Sequence, residues 1–391
     1  MISTTVFAGD NESKHNTKDR KNSDPIELVK IIPTTPVRDQ YMTSTCWSFS
    51  TLSFLESELM RMGKGEYDLS EMYIVRYDYE RKAEKYVRLH GKINFAPGGE
   101  PNDVTDVISK YGLVPESAYI GLNDDKDSHL HEEMDIVLSD YMKKVVGNND
   151  DLAIPDWKAG FDKIMDTYMG KIPTQFKYEG KEYTPKSFEQ SLGIDPKNYV
   201  LITSFMYKPY YQPFILEIPD NWSWGETYNV PLDELEEVMD STLYKGYSLV
   251  WSTDVSEKGF SFQRGMAVAP EVVYDSVSKK ESRKWDKMTQ EEKDDYMFSM
   301  TNPVPEITVT PELRQKAFDD FSTTDDHGMH IVGLATDQNG KKYYYVKNSW
   351  GTNNKRDGYL FASESYVRYK TISIMVNKDA IPSDIKVKLG L

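Results

Sequence analysis

The amino-acid sequence predicts an α+β fold in which helices dominate the first part of the chain and strands the last third. Between Cys46 and about Met62 the apolar residues Phe49, Leu52, Leu55 and Leu59 recur three and four apart, the spacing of one helix face. Far downstream, the β-rich runs Met329 to Thr336 and Tyr343 to Val346 flank Asn339-Gly340, the strongest short hairpin signal. Strands and helices do not alternate in βαβ fashion, so a helical half and a sheet-rich half are expected.

Taken in order, residues 1–24 read as a leader. Asp10 to Asp24 is almost wholly polar and cannot bury enough apolar surface to order itself. Ahead of it, Ile2 to Ala8 ends in Val6-Phe7-Ala8, which fits the tail of a clipped export signal without its positive n-region. The helix from Cys46 comes next, with Cys46 at its N-terminus. Val104 to Tyr111 suits a short helix stopped by Gly112. Another helix is predicted from Asp156, after Pro155, because Trp157, Phe161, Ile164, Met165 and Tyr168 share a stripe of the kind that packs a core. Phe176 to Tyr183 alternates around Glu179-Gly180 as a hairpin does. Beyond the Asn339-Gly340 hairpin, Gly358 to Ala362 and Ile372 to Val376 read as further strands.

Composition narrows the function classes. At 391 residues a sizeable core is assured, and no apolar run approaches the length of a membrane helix. With 63 acidic against 47 basic residues the net charge is -16, which repels a phosphate backbone, so no nucleic-acid or membrane partner is expected. The single cysteine excludes an intrachain disulfide framework and a cysteine-based zinc cluster, and no cofactor or metal is expected. His129 and His131 with Glu132 and Glu133 lack metal-motif spacing and read as a solvated helix start.

A lone thiol is ordinarily a small buried hydrophobe. Its neighbours reverse that reading here. A thiol attacks carbonyl carbon efficiently only as thiolate, which needs both a favourable field and a base. The unpaired N–H groups at the start of the Cys46 helix favour an anion, while Trp47 and Phe49 can anchor that helix in the core. Two histidines compete as base. His327 and His330 lie three apart on a strand and therefore point to opposite faces, so only one can address the thiol.

The segment Gln40, six residues before Cys46-Trp47-Ser48-Phe49-Ser50, closely resembles the active-site approach of the papain-like cysteine peptidases. Asp326-His327-Gly328-Met329, followed by Lys347-Asn348-Ser349-Trp350-Gly351, resembles the second half of that family's signature. The resemblance implies a two-lobed fold, one lobe helical and one β-barrel-like, with Cys46 as nucleophile, His327 as base, Asn348 orienting it and Gln40 donating to the oxyanion. It also implies that Trp350 shields the His–Asn hydrogen bond, and that of Gly98-Gly99 the second glycine lends its backbone to an extended substrate. His330 is then a core or interface histidine.

Further matches point to the bleomycin hydrolase or aminopeptidase C branch: Lys110-Tyr111-Gly112-Leu113-Val114-Pro115, Pro173-Thr174-Gln175-Phe176, Tyr183-Thr184-Pro185-Lys186-Ser187-Phe188 and Asn229-Val230-Pro231-Leu232-Asp233-Glu234-Leu235. On that reading residues 25–391 form one unit, with 25–120 mainly helical, 121–240 a helical and hairpin insert, 241–377 mainly β, and 378–391 a tail that could serve as an active-site arm. The branch implies aminopeptidase action on peptides, a homo-oligomer (a hexamer) and a cytoplasmic location, against which stands the export-signal reading. Two departures are visible. Ser44-Thr45 replaces the branch's Gly-Arg before the nucleophile, and the tail is shorter than the family arm. The alternatives are an endopeptidase without exopeptidase restriction and a catalytically idle papain-fold binding protein. Transglutaminase-like acyl transfer fits worse, since it prefers Asp to Asn and lacks a Gln six residues before its Cys.

Overall fold

The computed structural model describes residues 25–123, 128–147, 156–274 and 284–391; the polar leader, the export-signal reading and Pro155 lie outside them. The first strand, β1 (Ile26–Ile31), joins the sheet half, and the helical half follows it. Helix α1 (Cys46–Arg61) is buried on every face from Trp47 to Leu59, not only along the predicted stripe. It lies between α2 (Glu71–Arg88) and α3 (Pro101–Tyr111) on one side and the sheet on the other. Most of its polar residues are paired there, Ser57 Oγ being the exception. Ser48 Oγ donates to the Glu71 carbonyl, and Glu56 accepts from Leu69 N–H at 2.9 Å and from the Thr35 hydroxyl at 2.5 Å.

Helix α3 begins three residues before the predicted start, because Pro101 suits the first helical position and Asp103 accepts from Glu100 N–H at 3.0 Å. Helices α4 (Glu132–Val146) and α5 (Trp157–Met169) pack together behind α2, and the α5 stripe buries Phe161, Met165 and Met169. The predicted hairpin is β2 (Phe176–Tyr178) and β3 (Lys181–Tyr183), with both turn residues Glu179 and Gly180 at positive φ. Helix α6 (Pro185–Leu192) follows, capped by Thr184.

The sheet half is one mixed sheet. Its strands are β1, β4 (Tyr199–Thr203), β5 (Pro213–Ile215), β6 (Glu226–Asn229), β7 (Leu249–Thr253), β8 (Phe260–Ser261), β9 (Met266–Ala267), β10 (His327–Asp337), β11 (Lys342–Lys347), β12 (Tyr359–Ser363) and β13 (Thr371–Asn377). They run in the order β5-β6-β4-β13-β7-β10-β11-β12-β9-β8, with β1 paired to β10. The path is open, with no pairing among the described residues joining β8 back to β5. Strand β10 is the hub: its first half pairs with β7 and its second with β1, while β11 runs along the other side. Both of its edges are therefore paired, and the strand is buried along almost its whole length. The region read as an insert is not set apart from this sheet, since β4 hydrogen-bonds to β13 and β6 adds parallel to β4. Helices α7 (Leu232–Tyr244), α8 (Glu271–Tyr274), α9 (Gln290–Met297), α10 (Pro311–Asp319), α11 (Glu364–Lys370) and α12 (Ser383–Leu389) complete the half.

Two expectations are corrected. His129 and His131 are buried, not solvated, and the backbone around them clasps the loop before Cys46: Met42 N–H donates to the His129 carbonyl and His131 N–H to the Met42 carbonyl. The tail also folds away from an arm-like course. Ile385 and Leu389 of α12 enter the core beside α7, Lys388 pairs with Glu234 at 2.9 Å, and Lys245 holds the Ala380 and Ile381 carbonyls. The tail departs beside the last turns of α1, where Asn377 donates to Glu58 at 2.7 Å. At 1.5 Å per residue that point lies about 18 Å along α1 from Cys46.

Candidate active site

Cys46 opens α1, so its own N–H and that of Trp47 have no partner four residues back. Trp47 roots this end of the helix: its indole N–H donates to the Pro97 carbonyl at 3.1 Å, and its ring packs in the helical core. Cys46 is half-buried as a residue, and the N–H groups of Gly328 and Trp47 both point to its sulfur.

The sheet half meets this helix end at Gly328. A β-carbon there would come within 2.9 Å of Ser50 Oγ and 3.5 Å of the Cys46 carbonyl carbon, so only glycine lets β10 press against the first turn of α1. That contact sets His327, the preceding residue, beside Cys46. The His327 Nε2–H donates to Asn348 Oδ1 at 2.7 Å, which leaves Nδ1 as the basic nitrogen. Asn348 is fixed in turn, because its N–H donates to the Gly358 carbonyl and its Oδ1 also accepts from Ser349 N–H at 2.8 Å. The Trp350 ring lies 4.5 Å from the imidazole, centroid to centroid, and is itself walled by Phe260 and Phe262.

Gln40 is held at three points. Its N–H donates to the Ser349 carbonyl, its own carbonyl accepts from the Thr43 hydroxyl, and its Oε1 accepts from the Ser349 hydroxyl at 2.7 Å. With Oε1 committed, the side-chain NH2 is the group left to donate. The loop from Gln40 to Cys46 keeps its turn at Ser44 through a positive φ of 52°, the conformation that the branch's glycine would adopt freely.

Burial pushes the Cys46 thiol up to about 12; the charges of Asp325 and Asp220 push the same way, and the Gly328 and Trp47 N–H groups oppose them. Burial also holds His327 down at about 4, against the pull of Asn348. Each group alone thus resists charge. Moving one proton from the sulfur to Nδ1 creates both charges together and lets each stabilise the other.

The predicted residues Gln40, Cys46, His327, Asn348 and Trp350 converge at this junction, and His330 lies on the opposite face of β10, as the strand geometry requires. Gly98 and Gly99 form the far wall, where a β-carbon on Gly99 would meet the Trp47 ring at 3.0 Å. Sequence reasoning missed Ser349 as the anchor of Gln40 and missed three carboxylates, Glu100, Asp220 and Asp325. Asp325 was visible beside His327, whereas Asp220 reaches Gly98 only through the fold, and its carboxylate fills the space a Gly98 side chain would need.

A family model described as papain family cysteine protease matches residues 23–157, and one described as peptidase C1-like family matches residues 309–390. These two segments carry the two walls of the junction, with Gln40 and Cys46 in the first and His327 and Asn348 in the second. The chain belongs to the papain-like cysteine peptidases. Within them this peptidase is similar to aminopeptidase C of Lactobacillus delbrueckii subsp. lactis and to that of Lactobacillus helveticus, each 22% identical over 96% of this chain and 86% of its own length. The crystal structure of PepW from Lactobacillus rhamnosis shares the fold at a TM-score of 0.68 and 19% identity, over 93% of this chain and 84% of that one.

Proposed function

We propose that this chain is a cysteine aminopeptidase that cleaves the first peptide bond of its substrates through a thioester at Cys46. The Cys46 sulfur attacks the carbonyl carbon as its proton passes to His327 Nδ1. The oxygen takes the negative charge and is met by the Cys46 N–H and the Gln40 amide, donors aimed where charge develops. The leaving nitrogen takes the proton from His327, the C–N bond breaks and the acyl group stays on sulfur. Water then attacks the thioester, giving its proton to His327, and the thiolate departs and is reprotonated. Asn348 keeps the imidazole in the tautomer this needs, and Trp350 shields their hydrogen bond.

The observation that carries the reading is the His327–Asn348 hydrogen bond of 2.7 Å, held beside Cys46 by the close approach of Gly328 to α1. The relatives named aminopeptidase favour removal of N-terminal residues; the placement of the tail beside α7 favours the endopeptidase alternative. Free and N-acetylated aminoacyl-coumarin substrates decide between them. The free forms should be cleaved, iodoacetamide should abolish the activity by modifying Cys46, and Cys46→Ala should be inactive; retained turnover in that variant removes Cys46 from its role. Peptides are the proposed partners. A homo-oligomer, hexameric as in the resembled branch, and a cytoplasmic location extend the proposal, and light scattering of the purified chain tests the first. Among the described residues no helix is long and apolar enough to cross a membrane.

A further inference from the structure

One end of the cleft is closed by acid. Glu100 follows Gly99 on the helical wall and Asp325 precedes His327 by two residues on the sheet wall, and their carboxyl groups face each other closely enough to act on one another across the gap. Asp220, from the loop before β6, lies over Gly98 beside them, and the charges of Asp220 and Asp325 are felt at the Cys46 sulfur.

Asp325 differs from its neighbours. The Asp326 carboxylate accepts from Val255 N–H, Ser256 N–H and the Ser256 hydroxyl, and Asp254 accepts from Ser256 N–H and Thr324 N–H. Those two carboxylates hold the loop in place. Asp325 Oδ2, in contrast, is sealed from solvent and takes a hydrogen bond from no donor among the described residues. Lys82, whose charge is felt at Asp220, has its Nζ donating to the Ala96 and Gly98 carbonyls at 2.6 and 2.5 Å, and Arg81 pairs with Asp78, Asp103 and Asp106.

We propose that Asp325 and Asp220, backed by Glu100, form the site for the substrate's free α-ammonium, and that the Glu100–Asp325 bridge stops the peptide from extending past its first residue. The inference rests on the aminopeptidase reading and supplies a selecting element that does not require the C-terminal tail. The sign of the charge chooses the terminus: an ammonium offers three donors to acceptors that lack them, whereas a substrate carboxylate would be repelled. A blocked amine forfeits the charge pairing and leaves buried carboxylates unmatched, which is how a site rejects the wrong partner. Burial and Asp220 raise Asp325 to about 7, so the bridge holds a proton that the incoming ammonium can displace. Neutralising the two charges would also ease ionisation of Cys46, coupling recognition to activation.

The test compares kcat/KM for aminoacyl-coumarins and their N-acetyl counterparts in the wild type, Asp220→Asn and Asp325→Asn, with iodoacetamide labelling of Cys46 to count intact sites. The wild type should prefer the free amine, and each variant should lower the free-to-blocked ratio about 10- to 100-fold, mostly through KM, as loss of one partner of a close charge pair does. Should Asp325→Asn fail to fold, Asp220→Asn carries the comparison alone. If the wild type prefers free amines and the variants keep that ratio, the carboxylates are not the selector and the aminopeptidase reading stands without them. If the wild type shows no preference, both fall.

Discussion

On β10, His327 turns to the cleft and His330 to the seam between the sheet and α1, and the same side chain meets two different environments. His327 has Asn348 on one nitrogen, the Trp350 ring alongside and, through its neighbour Gly328, the first turn of the Cys46 helix. His330 Nδ1 is hydrogen-bonded with Ser53 Oγ at 2.9 Å, its ring stands edge-on to Phe54, and Lys347 lies in the next layer, donating to Ser53 at 2.7 Å and Thr35 at 3.2 Å. Thr35 in turn donates to Glu56. Both imidazoles are buried and both are held uncharged, His330 by burial and then by Lys347. Neutrality is therefore shared, and what differs is whether a nucleophile and an open cleft lie next to the ring. Proximity on one face makes chemistry; the same polar residue types on the other face join two halves of a fold.

The sharpest way to break this contrast is to remove each ring in turn. His327→Ala should cut kcat by ~10²–10⁴, the usual worth of a general base, with a small change in stability. His330→Ala should leave kcat within a few-fold and lower stability by ~1–3 kcal/mol, because it opens a hole and leaves the Ser53 hydroxyl without its ring-nitrogen partner. Urea unfolding and steady-state kinetics on both variants separate the two roles, and a reversed pattern would exchange the assignments. A smaller effect is expected one step back from the cleft. Gln40→Ala should cost ~10²–10³ in kcat. Ser349→Ala should cost less, since it only frees Gln40 Oε1; if it costs as much, the serine does more than orient the glutamine.

Much of this site was legible because it is made of local signals. Asn339-Gly340 set the hairpin that brings His327 and Asn348 to neighbouring strands, and the α1 stripe put Cys46 at a helix start. The carboxylate bridge was not legible, because Glu100, Asp220 and Asp325 are brought together by three separate loops. Helix α2 was missed for another reason. It buries Arg76, Asp78 and Lys82, whose charges blur the apolar stripe and are matched only in three dimensions, as in the Arg76 pairs with Glu80 at 2.6 Å and Asp166 at 3.4 Å. The strands β4 to β6 were hidden as well, since their place in the sheet depends on β13, which comes more than a hundred residues later.

The seam should also set part of the pH dependence of stability. Burial raises Glu56 to about 7, against Leu69 N–H, Thr35 and Lys347, while burial lowers Lys347 to about 8. A carboxyl whose folded pKa exceeds its unfolded one binds more protons when folded, so its contribution is complete below about 4.5 and is lost as pH rises to about 7. Lys347 acts higher up. It binds fewer protons folded than unfolded between about 8 and 10.5, so its effect varies only there. Between pH 5 and 7 the wild type should therefore lose more stability than Glu56→Gln, measured as the change in urea midpoint. Equal slopes would mean that Glu56 is already ionised at pH 5.

The smallest expected effect lies on the cleft side, at the loop that carries Cys46. Ser44 holds a φ of 52°, a region that an L-residue with a β-carbon enters at a cost and glycine enters freely. Part of that cost is met by the clasp of His129 and His131 on Met42, which fixes the loop from outside. Ser44→Gly relieves the folded state but also loosens the unfolded chain, and the two effects oppose each other. Relief should win by a few tenths to ~1 kcal/mol, because the strained conformation is disfavoured by ~1 kcal/mol or more for a non-glycine residue. Turnover should change less than twofold, since the fixed points of Gln40 lie at Ser349 and Thr43 and not at Ser44. A lower urea midpoint in Ser44→Gly would show that the Ser44 side chain contributes something that offsets its backbone strain, and that the departure from the branch's glycine is more than a tolerated substitution.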